Sequence, residues 1–354
     1  MKPRAIVNFI LSAASVFFFI ATPLEAFEIK PDPTFSFNDA DPDRGDESLV
    51  GHFKAPVHER ITGEAFCPGV HYQNPDNYNF PDEISRAAVY WGVRWNDDPP
   101  FQLKNTGNIV YRSNVMPQWI FIFNDAKKKA SKGKVFGPDY ALLYRTHFGD
   151  LQFLHSMASR DGERPEDTRE RIMMWAEFAW KISTGSIDKD EVIRKTGVRG
   201  LETYFPKYEH SATYLFTLGN PKLGKKLPEV ALGSLLHLVQ DSFTKSHVAR
   251  DNKRTGEECK GFEAAPGVIE QFHNYSNQNS QKHAQEDSED AFEESYNDKE
   301  QAAGVVDVNR NIVQYWLRKP QAEWPEVHRY LKCVFALSPT AAPAGPGEEF
   351  RRRN

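Results

Sequence analysis

Apolar residues recur at helical spacing along most of this chain. The period predicts helices over roughly Val57 to Phe66, Asp82 to Trp95, Gln118 to Ala130, Tyr140 to Ser159, Pro165 to Ser183, Lys189 to Thr196, Pro228 to Val248, Ala303 to Arg318 and Trp324 to Ala336. β-branched runs with strict alternation are nearly absent, so the pattern predicts an all-α fold, a single multi-helix domain spanning 50–337. Two other segments break the pattern. Residues 27–49 are rich in Pro, Asp and Gly and predict an irregular surface leader. Residues 338–354 (SPTAAPAGPGEEFRRRN) are rich in Ala, Pro and Gly and predict a disordered tail.

The start of the chain carries a different signal. Lys2 and Arg4 precede an apolar run from Ala5 to Leu24, and Leu24-Glu25-Ala26 suits signal peptidase, so residues 1–26 predict a signal peptide and an exported protein, periplasmic or secreted. The formal charge of −5 stays mildly acidic without that segment, which gives no help to non-specific binding of polyanions. Three cysteines, Cys67, Cys259 and Cys333, permit one internal disulfide and leave one thiol; the pairing is open at this level. They are too few and too dispersed for a cysteine-based metal site, so any metal falls to histidines and carboxylates.

ALGSLLHLVQDSFTKSHVAR, residues 231–250, carries the strongest chemical signal. His237 and Asp241 are four apart and share one helical face, a ready metal clamp. Taken alone, such a pair on an apolar helix is more often a buried hydrogen bond. On an unbroken helix His247 would point about 240° away and lie roughly 9 Å along, so it serves a different ion or the helix ends near Ser242 to Thr244. A second His-xxx-Asp, His283 and Asp287, lies in the acidic stretch QKHAQEDSED, with Glu286 a near-equivalent carboxylate. RWNDDPP adds Asp97 and Asp98 at a helix end imposed by Pro99, and THFGDLQFLH adds His147, Asp150 and His155. APVHERITGEAF places His58 at the head of a helix.

Together these residues resemble the zinc-dependent phospholipase C family, whose relatives include single-strand-specific zinc nucleases. The resemblance runs from about His58 to Asp287 and is most specific in HLVQDSFTKSH. It implies an all-helical domain with zincs at the base of a cleft. One ion would take Asp98, His147, His237 and Asp241, a second His247, His283 and Asp287, and a third His58 with a shared Asp241.

The chain departs from the family pattern at several points. Members commonly begin, once matured, with a Trp that completes the third zinc; here the expected first residue is Phe27 and no Trp precedes Trp91, with His52 a candidate substitute. Asp287 stands where Glu is common. The span from Asp98 to His147 is long, which keeps His155 as a rival to His147 and Asp97 as a rival to Asp98, and fits a helix inserted near 118–130.

The resemblance implies a phosphodiester hydrolase using two to three Zn2+ ions, with Asp98 steering the proton of the attacking water and no Ser or Cys nucleophile. The expected substrate is a phospholipid head group, reached through transient contact with a membrane surface. Thr244-Lys245-Ser246-His247 lacks the Gln-Pro-Leu-His run typical of the nuclease branch, so nucleic acid ranks behind lipid. The alternatives are a nuclease or other phosphodiesterase of the same fold, and an exported metal-binding protein without turnover. Oligomeric state is not legible.

Overall fold

The computed structural model describes residues 56–99, 102–103, 109–110, 116–206, 209–217, 220–275, 277–286, 288, 290–293 and 302–352. The expected signal peptide and leader, His52 and Asp287 lie outside them. The longer helices are α1 (Val57–Phe66), α2 (Arg86–Trp95), α3 (Met116–Ala130), α4 (Leu142–Phe148), α5 (Pro165–Ser183), α6 (Leu227–Asp241), α7 (Ser280–Glu286), α8 (Val305–Leu317) and α9 (Trp324–Val334). No helix among the described residues is long and apolar enough to cross a membrane.

The core is built where α2 and α5 pack on α6. Trp95 and Trp175 stack there with ring centroids 5.7 Å apart, and both side chains are buried. Two glycines set the approach of α2 to α6. A Cβ on Gly92 would lie 1.9 Å from the Val230 carbonyl oxygen, and one on Gly233 would lie 2.3 Å from that of Val89. Backbone therefore rests on backbone, and only Gly permits it.

Three expected helices stop short. The run from Tyr140 breaks at Gly149, whose Cβ would lie 2.5 Å from the Phe136 carbonyl oxygen; a single 3-10 turn (Gln152–His155) follows. The helix from Pro228 ends at Asp241, and Val248–Asp251 turns into a strand. Of Lys189 to Thr196 only a 3-10 turn at Ile193–Lys195 forms.

A small hairpin pairs β1 (Gln102–Leu103) with β2 (Ile109–Val110). A second, three-stranded sheet has the order β3 (Val248–Asp251), β4 (Val268–His273) and β5 (Leu337–Gly345), antiparallel then parallel. This sheet is an element that the expected all-α fold did not contain. β5 also corrects the expectation of a disordered tail. It is an edge strand, where Pro339 and Pro343 lack only donors that an edge can spare. Its far end is tied down: Ala344 N–H donates to Glu163 O at 2.8 Å and Gly162 N–H to Ala344 O at 2.8 Å. The disulfide joins Cys259 to Cys333 at the end of α9, and Cys67 keeps its thiol, which donates to Asn79 O at 3.2 Å.

Candidate metal centre

Six histidines and two aspartates from distant parts of the chain meet at the end of the α2–α6 crossing, and all eight are buried: His58, Asp97, His147, His155, His237, Asp241, His247 and His283. Two groups, His58 with His237 and Asp241 and Asp97 with His147 and His155, each bring one ligand atom per residue within 4.8 Å of the others. These groups could hold a metal ion.

Each ligand has a local cause. The close α2–α6 approach lets His237 Nδ1 donate to Val93 O at 2.7 Å, which turns Nε2 toward Asp241 Oδ2 at 3.0 Å. Asp97 follows α2 by two residues, and its neighbour Asn96 locks that turn. The Asn96 amide donates to Leu154 O at 2.8 Å, and its oxygen accepts from Ser234 Oγ at 2.7 Å. The carboxylate seated among the imidazoles is thus that of Asp97, with Oδ1 3.6 Å from His155 and 3.8 Å from His147, and Oδ2 3.9 Å from His237. Asp98 is the expected ligand and Asp97 its rival; Asp97 is the one set beside these rings, while the Asp98 N–H donates to Arg94 O at 2.8 Å and continues the helical turn.

His147 and His155 both belong to the centre. The Gly149 break lies between them, and Arg145 holds it by a bidentate pair to Asp150 at 2.8 and 2.9 Å. Ser156 closes the 3-10 turn in the left-handed region at φ 52, with its hydroxyl donating to Leu238 O at 2.6 Å. Asp241 spans the two groups, with Oδ1 3.4 Å from His58 and Oδ2 2.8 Å from His155. His247 reaches the same space because α6 has ended; the Thr244 N–H donates to Asp241 O and the His247 N–H to Thr244 O.

The outer nitrogens define how the rings are held. Nδ1 of His58 faces Gln240 Oε1 at 2.5 Å, that of His247 faces His155 O at 3.0 Å, and that of His283 faces Gln278 Oε1 at 2.7 Å. His147 Nδ1 lies 3.3 Å from Leu143 O. With His237, five rings thus have an oxygen acceptor at Nδ1, which fixes the tautomer and presents a lone pair at Nε2, the usual support for a metal-bound imidazole. His155 is reversed and turns Nδ1 inward.

Between His247 and His283 the two Nε2 atoms stand 3.3 Å apart. Two nitrogens bound at about 2.05 Å to one tetrahedral ion are separated by about 3.3 Å.

Electrostatics favour the same state. Burial pushes the imidazoles of His58, His147, His155 and His283 below their ordinary range, the first, second and fourth well below it, and mutual repulsion adds to this. Burial likewise takes His247 down to about 4. Neutral imidazole is the ligating form. Burial by itself would raise Asp241, but the facing imidazoles of His237 and His247 outweigh it and hold the carboxyl well below the carboxylate range. The donor set therefore fits a borderline divalent metal: five imidazoles held toward the neutral form by burial, the Asp241 carboxyl held toward the ionised form, and five rings with an oxygen acceptor at the outer nitrogen.

Of the eight residues expected as ligands, His58, His147, His237, Asp241, His247 and His283 lie in the centre. The outer partners Gln240 and Gln278 were not anticipated. Gln240 has a faint signal, three residues after His237 on the helix; Gln278 has none.

No family model matches the chain, and neither a curated protein nor a solved structure matches it. The class of site thus rests on its own geometry, as a buried multi-histidine, two-carboxylate centre able to hold metal.

Proposed function

We propose that this chain is an exported multi-zinc phosphodiester hydrolase of the phospholipase C type, acting on phospholipid head groups with two to three Zn2+ ions. The observation that carries the reading is the convergence of six buried imidazoles on two carboxylates, one of which, Asp241, faces His58 through one oxygen and His155 and His237 through the other. A single structural ion needs about four ligands; eight converging residues supply a multinuclear centre.

His58, His237 and Asp241 would hold one ion, Asp97, His147 and His155 another, and His247 with His283 a third. Bound zinc supplies a water that ionises near neutral pH and Lewis acidity toward a phosphoryl oxygen. The protein's own residues do the rest. Asp97 takes the role expected of Asp98, orienting the attacking water and accepting its proton. The Nδ1 acceptors hold each ring against rotation. Phe123 and Tyr275, whose rings lie 5.1 Å from His147 and 4.7 Å from His283, wall the centre and limit bulk water.

The test is elemental analysis together with turnover. Purified mature protein is expected to carry two to three zincs and to hydrolyse phosphatidylcholine or phosphatidylglycerol vesicles in preference to single-stranded DNA, with loss on chelation and recovery with zinc. Less than one zinc per chain after reconstitution sinks the reading. Zinc content without hydrolysis of any phosphodiester leaves a metal-binding protein.

A further inference from the structure

A cavity of about 320 Å³ opens beside His283, between α3 and the segment that leads into α7. Phe123, Phe148 and Tyr275 form its apolar wall, and the Phe148 and Tyr275 rings lie 5.6 Å apart. Three aromatic rings around a pocket are a common receptacle for a quaternary ammonium. This pocket differs in its charges. Lys127 and Arg352 both line it, and among the described residues no carboxylate does. Lys129, also on α3, is differently engaged and pairs with Asp125 at 2.5 Å. Lys127, by contrast, is half-buried with its ammonium pressed below the usual range by burial and by the nearby Arg352. Arg352 is exposed at the mouth and Lys127 half-buried, so the two line the cavity from different depths; they repel each other and any cationic guest, and both effects reverse when an anion enters.

We propose that Lys127 and Arg352 form an anion-recognition site in the cavity beside His283, selecting substrates whose head group carries an anionic oxygen, phosphate or carboxylate, over those bearing choline. This rests on the hydrolase reading for the word substrate, but the anion site stands on its own geometry. α3 lies in the span between Asp97 and His147 and supplies one of the two cations.

The experiment has two arms. Inorganic phosphate is titrated calorimetrically into chelator-treated and zinc-loaded protein, as wild type, Lys127→Met, Arg352→Met and Lys127→Arg. Wild type is expected to bind in both forms, each Met variant to lose about tenfold, the worth of one charge-assisted hydrogen bond, and Lys127→Arg to stay within a few-fold of wild type. Phosphate binding unchanged in both Met variants, or absent from wild type in both forms, overturns the proposal.

The second arm compares turnover of soluble glycerophosphoglycerol phosphate and glycerophosphocholine with vesicles of the corresponding lipids. A preference for the anionic ester that holds in the soluble pair and vanishes in Lys127→Met/Arg352→Met supports recognition in the cavity. A preference seen only on vesicles reflects attraction to a charged surface and overturns it. If no ester turns over while the Met variants still lose phosphate, the hydrolase reading fails and the anion site stands.

Discussion

Where α2 crosses α6, the candidate metal centre is held by backbone pressed against backbone; on the side of His247 and His283 it is held by side-chain amides and by the segment 346–352. At the crossing, Gly92 and Gly233 bring the Val93 carbonyl to His237, and Asn96 and Ser234 fix the turn that carries Asp97. On the other side, Gln278 accepts from His283 Nδ1 while its amide donates to Ser246 O at 2.7 Å and Pro346 O at 2.8 Å. One side chain thus joins His283, the residue before His247, and the chain that leaves β5. Arg352 N–H donates to Asn277 O at 2.8 Å and extends that clamp. The first arrangement gives precision through packing, since a close-packed crossing has no slack. The second depends on a few polar contacts and is the more easily perturbed half, as well as the half that opens to the cavity.

The largest expected effect falls on the carboxylates at the crossing. Asp241→Asn removes the anionic group shared between sites and is expected to lose most bound zinc together with activity. Asp97→Asn is expected to retain most metal and lose turnover by about 10²–10⁴-fold, the range for a missing general base, and Asp98→Asn to stay near wild type. Zinc per chain and phosphodiester turnover for the three variants check this; an inactive Asp98→Asn beside an active Asp97→Asn reverses the assignment.

Glycine substitutions probe the packing directly. Gly233→Ala forces a methyl against the Val89 carbonyl and is expected to cost about 1–3 kcal/mol or more, measured by urea unfolding of chelator-treated protein. A variant as stable as wild type shows that the crossing is looser than described.

Gln278→Ala sharpens the contrast from the opposite side. It frees the His283 ring and is expected to weaken one metal by about 10–100-fold while the others hold, read by competition with a chromogenic chelator. Loss of all metals together breaks the distinction between the two halves.

Acid affects both halves, each group by a smaller amount. His58, His147, His155, His247 and His283 have folded pKa values depressed below the ordinary value near 6.5, to about 4 for His247. An unfolded chain takes up protons as pH falls through about 6.5, whereas the folded imidazoles resist, His247 until near 4, so their contribution is fully present above about pH 6.5 and is lost as pH falls from there toward the folded values. Chelator-treated protein is therefore expected to show a falling melting temperature over that window, and zinc is expected to be released on acidification because protons compete for the same nitrogens. A melting temperature flat from pH 7 to 4 contradicts the neutral, buried imidazoles.

The two halves were not equally legible. The α1, α5 and α6 cores follow from apolar spacing, and the pairing of His237 with Asp241 follows from the four-residue turn, because local geometry alone puts i and i+4 on one face. Choosing Asp97 over Asp98 required the buried Asn96 network, whose partners Leu154 and Ser234 are more than fifty residues away. The tail read as disordered because its prolines and glycines defeat local propensity; only pairing with β4, a long-range contact, gives it a strand.

The sequence by itself determined the helical scaffold and most of the donor set, since both are written in residue type and short-range spacing. The tertiary structure alone decided which carboxylate enters the centre, that His155 joins His147 rather than replacing it, which cysteines pair, and that residues 346–352 close over Gln278. Each of those is a contact between residues far apart in the chain, and spacing along a sequence carries no information about distance across a fold.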